Sequence, residues 1–179
     1  MDDISHKGIS DSKGSDLCLS CGLCCRGVLH NNAYVEEYEI NKVRELSLSY
    51  FKKTSGKSAF RLPCKLFIAN KCSIYRESRP STCENYRCKL LKRLLTGEIN
   101  INESKQVVSK IENLVKSIES QLSNDISDGL WLKISAKMPE INTMPYDKKN
   151  VDFMMACAKL RILLLKYFFE DKDPINIDQ

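Results

Sequence analysis

The chain has 179 residues, enough for one domain, with or without a small appendage, to bury an ordinary core without covalent staples. Its 42% apolar and 28% charged residues suit a globular protein. The best candidate for a membrane span, Val151 to Phe169, is interrupted by Asp152, Lys159, Arg161 and Lys166, so no span is expected. The nine cysteines are an odd number, and the N-terminus lacks the basic-then-apolar layout of a secretory signal. Both features weigh against a disulfide framework and favour a cytoplasmic location, where clustered cysteines bind metal or do redox chemistry.

In chain order, residues 1–16 are polar and read as a flexible N-terminal segment. Residues 17–31 read as a loop holding the first cysteines. Tyr34 to Lys53 reads as a helix, with Ile40, Val43 and Leu46 at helical spacing. Thr54 to Ser58 is a connector. Phe60 to Tyr75 reads as a short hairpin, Leu66-Phe67-Ile68 and Ser73-Ile74-Tyr75 flanking an Ala69-Asn70-Lys71 turn. Ser81 to Leu95 reads as one helix opened by a Ser81/Glu84 capping box and stopped at Gly97. Asn102 to Ser123 carries the clearest helical period. Leu130 to Lys137 is a further short helix, Met138 to Asn150 a loop containing Pro139 and Pro145, and Val151 to Glu170 a final apolar helix. The expected fold is mainly α, a helical domain with a cysteine-rich metal-binding lobe containing a short β-hairpin. Its parts are residues 1–16, a cysteine-cluster region at 17–97, and a helical C-terminal region of the same domain at 98–179. Met154 and Met155 are expected in the core.

Eight cysteines fall into two groups. Cys18, Cys21, Cys24 and Cys25 form C-x2-C-x2-C-C, with Gly22 letting backbone amides approach the thiolates. This spacing suits a zinc knuckle and also the first three ligands of a bacterial-type iron–sulfur cluster. Adjacent Cys24 and Cys25 diverge, so they serve two centres or one is a spare thiol. The second group is Cys64, Cys72, Cys83 and Cys88. The hairpin brings Cys64 and Cys72 together, and Cys83 falls in the first turn of a helix, where the dipole favours a thiolate. On an ideal helix Cys88 would face away from Cys83 by roughly 140°, so a shared centre requires that helix to distort. His6 and His30 are left outside the ligand set, since eight sulfurs suffice. Cys157, on the apolar face of the last helix, reads as a core thiol.

From Cys64 to Leu95 eight basic residues face two acidic ones. That excess can offset thiolate-rich centres, or it can simply solvate a helix face. A nucleic-acid surface is disfavoured by the absence of finger spacing and the scarcity of stacking aromatics.

The pattern Cys18-x2-Cys21-x2-Cys24-Cys25, Pro63-Cys64, Lys71-Cys72-Ser73-Ile74-Tyr75, Arg79-Pro80-x2-Cys83 and Cys88 resembles the YkgJ-like cysteine-cluster family (CxxCxxCC), described as zinc- or iron-chelating domains. The Arg76-Glu77-Ser78 gap is one residue longer than the family spacing, and Arg87 stands where many relatives have a proline or apolar pair. The resemblance covers residues 18–95 and implies metal bound by the cysteine cluster, with no settled reaction. Some relatives are named as flagellin lysine N-methylases, but no S-adenosylmethionine-binding pattern is seen here. Arg79 is expected to donate to a ligand thiolate or to form a surface salt bridge, Pro80 to set the turn into the helix, and Tyr75 to sit in the hairpin core.

Two function classes follow. One is a binding or scaffold protein holding zinc or an iron–sulfur cluster, with helices from residue 102 onward covering the lobe or meeting a protein partner. The other is an iron–sulfur-dependent enzyme or electron-transfer protein of the lysine N-methylase type. The absence of an obvious general base beside the cysteines favours binding.

Overall fold

The computed structural model describes residues 5–122, 129–143 and 147–170, with side chains from Lys13 onward. In chain order the elements are α1 (Ser5–Cys21), β1 (Asn32–Val35), a 3-10 turn (Glu37–Glu39), α2 (Ile40–Glu45), β2 (Tyr50–Lys52), β3 (Ser58–Arg61), β4 (Phe67–Ile68), β5 (Lys71–Cys72), α3 (Ser81–Asn85), α4 (Lys89–Leu95), α5 (Ile101–Glu119), α6 (Leu130–Thr143) and α7 (Lys148–Tyr167). The fold is mainly α, as expected, with a small cysteine-bearing hairpin. The described residues fall into two compact units, each built from separated stretches: 5–21, 87–121 and 147–170 in the first, 22–86, 122 and 129–143 in the second.

The first unit is helical. Its centre is α5, whose Val108, Ile111, Val115 and Ile118 recur every three or four residues on one buried face. That face packs against α1, α4 and α7. A capping box starts α5: Asn100 Oδ1 accepts from the Glu103 N–H at 2.9 Å, and Glu103 Oε2 accepts from the Asn100 N–H at 2.8 Å. The α4 helix ends as expected at Gly97, whose φ of +76° allows Glu98 N–H to reach the Arg93 carbonyl at 2.9 Å. The α7 helix buries Phe153, Cys157, Leu160 and Leu164. Met154 and Met155 are exposed, at 43% and 66%, contrary to the core placement expected for them. Each helical step turns about 100°, so once Phe153 faces inward the next two residues face out.

The second unit holds a three-stranded antiparallel sheet of order β1-β3-β2, with Val35, Val43, Leu48, Phe60 and Leu62 as its core. The single helix expected over Tyr34 to Lys53 is instead β1, the 3-10 turn, the six-residue α2 and β2. Tyr34, Val35, Tyr50 and Phe51 are strand formers that pair with β3, and Ser47, at φ 53°, follows the end of α2. The hairpin is present but shorter than expected, with Phe67 opposite Cys72 and Ile68 opposite Lys71. Ala69 and Asn70 both have positive φ, as a two-residue primed turn requires. The helix α6 runs through Pro139 to Thr143, where a loop was expected; of the rest of that loop, 144–146 lie outside the described residues, Asp147 caps α7, and Lys148 to Asn150 form its first turn. Trp131 Nε1 ties α6 to the Val28 carbonyl at 2.9 Å.

Replacing the α5 cap by Asn100→Ala should lower stability by about 1 kcal/mol, read as a lower urea midpoint with an unchanged slope.

Candidate metal centre

Cys18 and Cys21 occupy the last turn of α1, on a helix where the sequence suggested a loop. Three residues apart, they share one helix face. Gly22 follows at φ +61°, and the Phe67 ring of the hairpin lies where a side chain would go, its Cζ against the ideal Cβ position. The expected special backbone at this glycine is therefore real, and close ring packing adds a second requirement for a residue without a side chain. Cys24 and Cys25 lie in the turns that follow, held by Arg26 N–H to the Gly22 carbonyl and Val28 N–H to the Leu23 carbonyl. Cys64 N–H donates to the Cys25 carbonyl at 2.7 Å, which joins the two sequence groups within the second unit.

Two of the cysteines begin turns that aim amides back at their own sulfur. The amides of Leu66 and Phe67 serve the Cys64 sulfur, and those of Leu90 and Leu91 serve Cys88, the Leu91 contact being 3.4 Å. Such N–H donors favour the thiolate, the form that ligates metal.

Opposing them is burial. Desolvation raises the Cys64 thiol, with the neighbouring Cys72 thiol adding to the rise. Cys83 is raised first by desolvation and then by Cys64, with Cys72 and Glu39 also raising it and Arg79 opposing. Burial lifts Cys88 to about 11, with Cys18 adding to it. Cys64, Cys72 and Cys83 thus lie within one another's electrostatic reach in the second unit, and Cys18 and Cys88 do so in the first. None of the nine cysteines is in a disulfide. Cys157 is a core thiol, as expected, 5% exposed and pushed up to about 11 by burial.

The helix expected over Ser81 to Leu95 breaks into α3 and α4, with extended backbone at Tyr86 (ψ 127°) and Cys88 (ψ 161°). The break is stabilised because Cys88 becomes the N-cap of α4. The angular argument that set Cys83 and Cys88 back to back on one helix therefore does not apply. The dipole argument for Cys83 fails as well: α3 has five residues, too few for a strong dipole, and desolvation of the sulfur acts the other way although the residue as a whole is exposed. The Ser81/Glu84 capping box is not formed. Instead the Ser81 N–H and hydroxyl both donate to the Glu39 carboxylate, at 2.7 and 2.6 Å, and Glu84 accepts from the Arg79 N–H at 2.9 Å.

Glu39 and Lys42 were not singled out in the sequence. Lys42 Nζ donates to Ser78 Oγ at 2.7 Å and to the Arg79 carbonyl at 2.6 Å, so both residues hold the approach to Cys83. Nothing in a stretch that reads as an ordinary amphipathic helix signals this. Tyr75 is partly buried, under the Arg79 guanidinium at 4.2 Å. His30 Nε2 lies 2.9 Å from the Tyr86 hydroxyl.

Among the described residues, no three His, Cys, Asp or Glu side chains converge closely enough to hold a metal ion. The chemistry of the donors nonetheless suits a soft or borderline metal, since thiolates select zinc and iron–sulfur centres. Neutral thiols have no force drawing them into a shell until a cation displaces their protons. No helix among the described residues is long and apolar enough to cross a membrane.

A family model described as "CxxCxxCC: Putative zinc- or iron-chelating domain" matches residues 17–112, more than half of the chain. No curated protein and no solved structure matches.

Gly22→Ala should destabilise the protein by about 3 kcal/mol, combining a left-handed backbone penalty with a ring clash. Chemical denaturation checks this, with Gly56→Ala as the control for a positive φ in open space.

Proposed function

We propose that this chain, which belongs to the CxxCxxCC family, is a metal-binding protein that holds zinc or an iron–sulfur cluster on thiolates drawn from Cys18, Cys21, Cys24, Cys25, Cys64, Cys72, Cys83 and Cys88. The observation that carries this reading is the gathering of Cys64, Cys72 and Cys83, well separated in sequence, into mutual electrostatic range as free thiols. Disulfide formation would remove such thiols, whereas a cation turns their repulsion into attraction. The amide donors at Cys64 and Cys88 add to the support, because they are matched to thiolates. When bound, the metal supplies the positive charge around which the sulfurs close. The chain's own groups deprotonate, orient the sulfurs and donate hydrogen bonds to them. The YkgJ-like resemblance and a cytoplasmic setting accord with this reading.

A second reading, an iron–sulfur electron-transfer protein or enzyme of the lysine N-methylase type, is favoured by the exposure of Cys83. An exposed ligand is where electrons or substrate would reach a centre.

Anaerobic purification followed by zinc, iron and acid-labile sulfide measurement separates these readings. Colourless protein with stoichiometric zinc points to the binding role. Brown protein with matching iron and sulfide eliminates zinc as the resident metal. Metal-free, stably folded protein with intramolecular disulfides would overturn both.

Raised thiols also fix a sign for pH. Folded protein keeps these sulfurs protonated at pH 7, so metal must displace protons, and apparent affinity should rise from pH 6 to pH 8. Calorimetric zinc titrations in buffers of different ionisation enthalpy should show net proton release, approaching one per ligated thiol; absence of release contradicts ligation by these thiols.

A further inference from the structure

The last helix, α7, is apolar on two opposite sides. One stripe, Phe153, Cys157, Leu160 and Leu164, is buried in the first unit. The other is Val151, Met155, Ala158, Ile162 and Leu165. Its first four members each stand two positions before a member of the buried stripe, about 200° round the helix. Val151 is half-buried and the rest are exposed, Met155 at 66%, Ile162 at 64% and Leu165 at 39%. Packing within the fold accounts for the first stripe and not for the second. The second advances by four, three, four and three residues. That is the repeat of a coiled-coil seam, which keeps a narrow apolar line facing one partner helix. Asp152, Lys159 and Lys166 border the seam on one side, Met154 and Arg161 on the other. Among the described residues neither Asp152 nor Lys159 is in a salt bridge.

We propose that the occupant of this seam is the α7 helix of a second copy of the chain, running antiparallel. In an antiparallel pair, residues bordering the seam on the same side meet each other across it. One register packs Met155 on Ala158 of the second copy and Ile162 on its Val151. It brings Asp152 to Lys159 of the second copy and, by two-fold symmetry, Lys159 to Asp152. Met154 then meets the aliphatic stem of Arg161. Lys148 falls opposite Leu165, so the helices overlap along nearly the whole of α7, about 27 Å. Asp152 is the only acidic residue of α7, and this register uses it twice. The alternatives set like charges together. Sliding the antiparallel pair by one heptad puts Lys159 against Lys159 and Arg161 against Arg161. A parallel pair puts Arg161 against Lys166. The seam is thus complementary to itself in one orientation and one register. It contains none of the eight clustered cysteines, so this inference stands apart from the metal-binding reading.

The test is sedimentation velocity on the full chain, in reductant and low salt, over about a hundredfold range of concentration. One helix per copy makes a small interface, so a monomer that becomes a dimer as concentration rises is expected. Ile162→Glu should keep the wild-type circular dichroism and raise the dissociation constant about tenfold or more. Ser109→Glu, exposed on α5, should leave it unchanged. Asp152→Lys and Lys159→Asp should each weaken the dimer about three- to tenfold, and the double exchange in one chain should restore it. A chain that stays monomeric at every concentration overturns the inference and leaves the seam to a helix of another protein. A dimer indifferent to Ile162→Glu, as one bridged by disulfide or metal would be, overturns it as well. A dimer that Ile162→Glu weakens but the double exchange fails to restore overturns the antiparallel register.

Discussion

Sulfur repels sulfur once protons leave, and much of the second unit can be understood as a response to that. Cys72 makes ionisation of Cys64 harder, and Cys64 and Cys72 both do so for Cys83. A fold that wanted only a core would scatter such groups or use alanine. Here backbone amides are spent on sulfur, a lysine and a glutamate brace the approach to Cys83, and an arginine is laid on a tyrosine beside it. The free energy held in check by these contacts is available to a cation, which reverses the sign of every thiolate interaction around it.

The hydrophobic period made the long helices legible. The α5 and α7 helices follow from apolar residues three and four apart, and the Gly97 stop from the demand for a left-handed residue after α4. The eight-cysteine pattern was legible too, because spacing is written directly in the chain. What could not be read was anything decided by tertiary partners. Glu39 draws Ser81 away from its local capping box, and the pairing of β1 and β2 with β3 turns an apparent helix into a sheet. Cys88 shows the same limit: as a helical residue it pointed away from Cys83, but as the cap of α4 its orientation is set by a different rule.

Gly22 shows how a motif residue can serve two ends. In the sequence its role is conformational, letting amides approach neighbouring sulfurs. In the structure its missing side chain is also the seat of the Phe67 ring, which anchors the hairpin carrying Cys72. A single absent methyl thus links the turn that leads to Cys24 and Cys25 with the hairpin that carries Cys72.

The two units interleave along the chain, and this has a consequence for biosynthesis. The first unit draws on residues before 22 and again on α7, near the far end. A growing chain therefore exposes Cys18 and Cys21 well before α7, which packs against α5, has been made. The helix that carries them packs against α4 and α5, so the earliest cysteines must wait for those helices, and such long-range contacts are slow to close. During that wait the thiols meet oxidants and stray metal as an unstructured segment, so the reducing capacity of the surroundings becomes part of what lets the chain mature.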